Sequence, residues 1–275
     1  MDITIGKEKI VELLSPFSAD AIHDKANVKR VDAFGQLVKF MQRPKLDEVE
    51  IVAVEKRYEP FWFGAAHAFY KYDRRHRYAV PVAPEVRAVT FYENDHAVQS
   101  GQTIQFEALE HCEEELRREL LLDAATGVEG DFRKYLNFPK QETENLEALN
   151  QNAVVVAPEI RSSFVVGKLT QLLLKTIQAD QIFEQFIEVS EIILYYRPLY
   201  AFEFLWKPRD KRSVVEFDAL TGETRAAPGQ IKKHITRVLD NDDFFDIGAD
   251  VIGTLVPGAN IGVKLGRLAA RQALK

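Results

Sequence analysis

The stretch "YYRPLYAF" at residues 195–202 has an earlier counterpart, "YEPFWF" at 58–63. Both set Tyr-x-Pro ahead of aromatic residues, and a shift of 138 residues aligns them. Proline fixes φ and has no N–H, so each strand is expected to be interrupted or bulged there. A second pair follows: "ELLLDAATG" at 119–127 and "VVEFDALTG" at 214–222. Here Asp and Thr side chains can bond nearby backbone N–H groups and Gly supplies a positive φ, so a strand stops and turns. Two matched pairs point to an internal duplication. Tyr-x-Pro and D-A-x-T-G lie 65 residues apart in the first half and 22 in the second, so the first copy would carry an insertion.

Working outward, residues 7–14 and 18–41 read as helices, the latter on the stripe Phe34, Leu37, Val38 and Met41. "EVEIVAV" (48–54) reads as a strand. "AHAFYKY" and "RYAVPV" read as a hairpin around a polar tip, Asp73 to His76. Strands are expected at 86–92 and 103–109, a helix at 168–186, and strands at 188–196, 200–206 and 213–219, with a polar tip from Lys207 to Arg212. The expected fold class is α+β: two related helix-plus-antiparallel-sheet units followed by a C-terminal helical hairpin. The boundaries fall at 1–150 (with inserted strands over 86–109), 151–239 and 240–275.

Residues 168–223, with their aromatic strand, polar tip and "VVEFDALTGE" turn, resemble the PepSY domain. The resemblance implies a helix packed on a short antiparallel sheet. It also implies a non-catalytic role in controlling peptidases or membrane-bound assemblies, and it carries over no catalytic residue.

Composition is that of an ordinary folded chain: 46% apolar, 28% charged, net charge −6. The acidic balance argues against a nucleic-acid coat. The lone Cys112 excludes an internal disulfide. The first residues do not read as a secretory signal, so a cytoplasmic protein is expected, with peripheral membrane attachment as the variant. No G-x-S-x-G, P-loop or paired-histidine motif is present, and no cofactor is expected.

Three sets of residues remain as candidates. Tyr58, Trp62, Tyr196, Tyr200 and Trp206 are either core aromatics at a kinked strand or an aromatic groove for a ligand or peptide. Lys71, Arg74, Arg75 and Arg77 at one tip, and Lys207, Arg209, Lys211 and Arg212 at the other, each give a net +3 segment. With both tips on one side they would form an anion-binding patch; otherwise they keep exposed hairpins soluble. His67, His111 and Cys112 are a weak metal candidate, because His111 and Cys112 are adjacent and diverge in any regular element.

The tail from Asp240 reads as two helices turning at Pro257-Gly258. Gly258, Gly262 and Gly266, with Gly253 before them, would present a close-contact face, since exposed helical glycine costs about 1 kcal/mol. Lys264, Arg267, Arg271 and Lys275 form a basic stripe suited to an anionic membrane surface. The sequence therefore reads as a non-catalytic interaction or regulatory protein that binds a protein or small ligand, with self-association or a protein partner expected. A membrane-surface adaptor and a metal-dependent enzyme are the alternatives.

Overall fold

A computed structural model describes residues 1–35, 40–143, 146, 149, 153–227, 244–246 and 262–265. The strands are β1 (Asp2–Ile5), β2 (Glu8–Leu13), β3 (Val49–Pro81), β4 (Ala88–Phe91), β5 (Asn94–Ala97), β6 (Thr103–Asp123), β7 (Lys140–Thr143), β8 (Val154–Val155), β9 (Gln181–Trp206), β10 (Lys211–Asp218), β11 (Thr224–Ala227) and β12 (Gly262–Leu265). The helices α1 (Ala19–Lys29) and α2 (Ser162–Leu173) interrupt them. All strands but β4 and β5 belong to one ten-stranded mixed sheet. The expected pair of separate helix-plus-sheet units is therefore overturned. The strands that would define the two units, β3 and β9, are hydrogen-bonded to each other from Val49↔Trp206 to Asp73↔Gln181.

The sequence echoes mark the middle of this sheet. Tyr58 stands opposite Pro198, Glu59 opposite Arg197 and Pro60 opposite Tyr196, so the two Tyr-x-Pro motifs pair antiparallel with each other. On the outer side of β3, β8 ends at Tyr58↔Val155 and β6 begins at Phe61↔Asp123. On the outer side of β9, β2 ends at Glu12↔Tyr196 and β10 begins at Leu199↔Asp218. Each proline sits where its strand changes neighbours, so its missing N–H interrupts no ladder. Its carbonyl is used instead: Pro60 accepts from Ala124 N–H at 3.4 Å and Pro198 from Ala219 N–H at 3.1 Å.

The D-A-x-T-G turns supply those alanines. Asp123 Oδ1 accepts from the N–H groups of Ala125 and Thr126, and Asp218 Oδ1 from those of Leu220 and Thr221. Gly127 and Gly222 close the turns at φ +70° and +76°.

Both helices cover the same sheet face, and each covers strands distant in sequence. Ile22 and Ala26 of α1 pack with Phe202, Phe204 and Phe217 of β9 and β10. Val165, Val166, Leu169 and Leu173 of α2 pack with Trp62, Ala66 and Tyr70 of β3 and Leu120 and Leu122 of β6. Gly64 permits this approach: a Cβ there would lie 2.8 Å from Leu169 Cδ1 and 2.9 Å from Val165 Cγ1.

Several local expectations are corrected. Residues 8–13 are strand β2, not helix, because Ile10, Val11 and Leu13 each enter the core of a sheet with neighbours on both sides. The helix expected over 168–186 ends at Leu173, and β9 begins at Gln181. The aromatic and β-branched residues from Ile182 onward pair with β3, where sheet contacts override helical spacing. Asp73–His76 is not a turn: β3 runs through it to Pro81, and the chain reverses through β4 and β5. Leu37 and Val38, from the stripe expected over 18–41, lie outside the described residues.

The helical hairpin is also overturned where it is described. Gly262–Leu265 is a strand parallel to β1, pairing Asp2↔Gly262 through Ile5↔Leu265. Asp246 and Phe244 close the start of α2: Asp246 accepts from Ser163 N–H at 3.1 Å and Phe244 O from Ser162 N–H at 2.9 Å. Gly253, Gly258 and Gly266 lie outside the described residues.

The α2 interface is testable in urea. Leu169→Ala should destabilise the fold by about 2–5 kcal/mol, and Leu172→Ala, on the half-exposed side, by under about 0.5 kcal/mol. Gly64→Ala alone should cost about 1–3 kcal/mol by overpacking. Combined with Leu169→Ala it should cost less than the sum, because the added methyl enters the space Leu169 leaves.

Candidate functional site

The face opposite the helices carries charge at its centre. Alternation places Glu55, Arg57 and Glu59 of β3, Arg197 of β9, and Glu216 and Asp218 of β10 on this side. Arg197 Nη2 donates to Glu59 Oε2 at 2.8 Å, and Nη1 donates to Tyr135 Oη at 2.8 Å and Asp218 Oδ2 at 3.2 Å. Tyr135 donates to Asp218 Oδ2 at 2.5 Å. Glu216 accepts from Arg57 at 3.2 Å and, on its other oxygen, from Arg225 at 2.6 Å. Arg57 also donates to Glu55.

Tyr135 is delivered by the segment between β6 and β7. Phe132 stacks on Phe61, ring centroids 4.8 Å apart, and the short turn Arg133–Tyr135 then presents the phenol to Arg197. Phe61, Phe63, Tyr195 and Tyr135 form the small core that seats the charged group. Burial, then the hydrogen bond to Asp218, pushes the Tyr135 pKa far up, so its proton stays in place. Burial works against the charge on Arg197, but Glu59, Tyr135 and Asp218 outweigh it and its pKa rises.

Beside this network lies a cavity of about 430 Å³, lined by Tyr135, Arg197, Leu199, Glu216, Asp218, Glu223, Thr224 and Arg225. Its inner groups are committed to one another. At its mouth Glu223 pairs with Lys134 at 2.7 Å, and both Glu223 and Arg225 are mostly exposed.

The sequence-derived candidates fall elsewhere. Tyr58, Trp62, Tyr196 and Trp206 are interior, and Tyr200 is half-buried against the α1 core, so this set does not line an open groove. Trp62 Nε1 donates to Ile160 O at 2.8 Å and Trp206 Nε1 to Glu48 at 3.0 Å. The two basic segments sit at opposite ends of the β3–β9 ladder, roughly 80 Å apart along the strands at about 3.3 Å per residue, and do not form one patch. Most of their charges are answered across the sheet: Lys71 by Glu113, Arg74 by Glu110, Arg77 by Glu107, Lys207 by Glu50 and Arg212 by Glu203. Arg75 gives its backbone N–H to Asp180, Arg209 lies over the Trp206 ring, and Lys211 stands opposite Trp206.

His67 contacts Glu188 at 3.6 Å, whereas His111 pairs with Asp73 at 2.7 Å, six residues further along β3 and so about 20 Å away. Cys112 points to the other face from His111. Among the described residues no group of three His, Cys, Asp or Glu side chains is placed to hold a metal ion.

The chain matches no family model, no curated protein and no solved structure.

The sequence reading passed over Arg197, Asp218, Tyr135 and Glu59. One signal for them was present: the middle residue of Tyr-x-Pro is Glu59 in one copy and Arg197 in the other, a pair of opposite sign at equivalent places.

Two outcomes test this electrostatic arrangement. Arg197→Met should lower stability by about 3–5 kcal/mol in denaturant unfolding, because the buried Asp218 and the half-buried Glu59 lose their shared cation. The second concerns alkaline pH. Tyr58, Tyr135 and Tyr196 have folded-state pKa values raised above the unfolded value near 10, chiefly by burial. Their contribution to stability is complete below about pH 10 and is lost as pH rises toward the folded values. Tyrosinate absorbance of the native protein should therefore lag that of the urea-unfolded chain above about pH 10; coincident curves would contradict it.

Proposed function

We propose that the protein is a non-catalytic binding protein whose charged sheet face takes a small ampholytic ligand into the cavity beside Arg197. The observation that carries this reading is the convergence of two guanidinium groups, Arg197 and Arg225, and three carboxylates, Glu216, Asp218 and Glu223, on one recess of ligand size. A ligand of one sign would meet repulsion as well as attraction there. A molecule bearing both an ammonium and a carboxylate, such as an amino acid or short peptide, matches both sets.

The inner layer favours binding over proton transfer. Asp218 has both oxygens occupied, Tyr135 holds its proton, and Glu216 is bonded to two arginines. Such a layer is a rigid floor, and selectivity then rests on Glu223, Thr224 and Arg225 at the mouth.

Ligand-detected NMR and calorimetry can test it with free amino acids and a Lys/Arg–Asp/Glu dipeptide set, using glutarate and 1,5-diaminopentane as probes of a single sign. Saturable binding of an ampholyte is expected, weakened about tenfold by Glu223→Gln or Arg225→Gln, roughly the loss of one charge-assisted hydrogen bond. The single-sign probes should bind more weakly. No ampholyte binding at millimolar concentration, or binding unchanged in the doubly substituted protein, would overturn the proposal.

A further inference from the structure

Among the described residues the outer edge of β6 is open along most of its length. Among the described residues β6 has one strand partner, β3, although it runs from Thr103 to Asp123. Among the described residues, backbone contacts reach this edge at its ends alone: Gln99 bridges Thr103, and residues 128–130 close over Leu121 to Asp123. An open edge of this length is a template for strand addition, and proteins ordinarily blunt such edges with charge. This edge carries charge in a particular order.

Its centre reads Glu114-Glu115-Leu116-Arg117-Arg118. Laid antiparallel on a second copy about Leu116, this segment sets Glu115 opposite Arg117 and Glu114 opposite Arg118, each twice. A twofold axis perpendicular to the sheet also keeps the faces matched, since residues 115 and 117 share one face and 114 and 118 the other. Moving the register by two residues in either direction puts Glu115 opposite Glu115, or Arg117 opposite Arg117, on the axis. The pattern therefore selects one register.

We propose that β6 is a self-association edge: two copies of this chain join antiparallel through Cys112–Leu120, centred on Leu116, and continue one sheet across a twofold axis. The ladder stops where residues 128–130 take over the edge. The next pair outward, Glu113 opposite Glu119, is of like sign, but each already has its own cation, Lys71 at 3.7 Å and Arg133 at 2.8 Å. Arg117 is 78% exposed and bonds to Glu115 of its own strand, a contact that exchanges for the same contact across the axis. Arg118 gives a hydrogen bond to the Arg117 carbonyl and has no carboxylate partner among the described residues; across the axis it faces Glu114 of the other copy, which it would share with that copy's own Lys175, at 2.6 Å, and Tyr72, at 2.9 Å. The interface is an isologous one, the commonest arrangement of homodimers. It is independent of the cavity beside Arg197.

Sedimentation velocity of the full chain tests this by charge exchange. The unaltered protein should sediment as a dimer at micromolar concentration. R117E/R118E and E114R/E115R should each weaken the dimer about 100-fold, because four cross-strand pairs become like-charged. An equimolar mixture of the two variants should recover the dimer as a mixed species. Independently of how those variants fold, oxidation of C112S/L116C should give a disulfide-linked dimer, since Leu116 meets its own copy on the axis. A monomer at about 100 µM, dimers unaffected by charge reversal, a mixture that stays monomeric, or no cross-link at position 116 would each overturn the proposal.

Discussion

The antiparallel ladder between β3 and β9 holds this molecule together, and the Glu59–Arg197 pair stands at its centre. Every larger feature is placed by it. Strands β6 and β10 attach where the two prolines hand each long strand to a new neighbour. The helices follow, because α1 and α2 each cover strands distant from them in sequence. A chain cut between its halves would separate each helix from much of the apolar surface it buries. The charge pair faces away from those helices, so one side of the sheet is apolar and the other holds a compact ionic network. A half-buried pair of this kind owes its permanence less to its own strength than to the penalty of leaving either member alone.

What could be read from the sequence was the punctuation. Tyr-x-Pro and D-A-x-T-G mark a changeover and a turn whose chemistry is local: a missing donor, an Asp accepting two N–H groups, a Gly at positive φ. The extent of the strands was not readable. Polar residues at 73–76 read as a tip, yet Asp73 is nearly buried and held by His111, while Arg74 is held by Glu110, so hydrophilic residues continue a strand. Glu107, Glu110 and Glu113 make sense only opposite Arg77, Arg74 and Lys71 of β3. Both facts depend on partners that sequence spacing does not reveal. Leu169 and Phe183 fit one helical period, but the first belongs to α2 and the second to β9.

The candidate site was less legible for the same reason. Arg197 gathers Glu59 from the first half, Tyr135 from the segment after β6 and Asp218 from the second turn. Glu59, Arg197 and Asp218 lie inside the repeated motifs, but nothing in those motifs brings them together, and Tyr135 lies outside both. The aromatic residues Tyr58, Trp62 and Tyr196 are part of the scaffold beneath it. The basic segments, suggestive in isolation, have neighbours of opposite sign once the strands are paired, and this cross-strand neutralisation helps hold the ribbon of β3 and β6 beyond Asp73, where Phe91 and His96 pack on Phe106.

Native-state hydrogen exchange of the full chain, followed by mass spectrometry with rising denaturant, tests the continuous β3–β9 ladder most directly. Amides of residues 54–66 and 190–204 should be the most protected and should open together with a single free energy equal to that of global unfolding. Two separate openings, with one set of amides exchanging while the other stays protected, would contradict a single sheet built around Glu59 and Arg197.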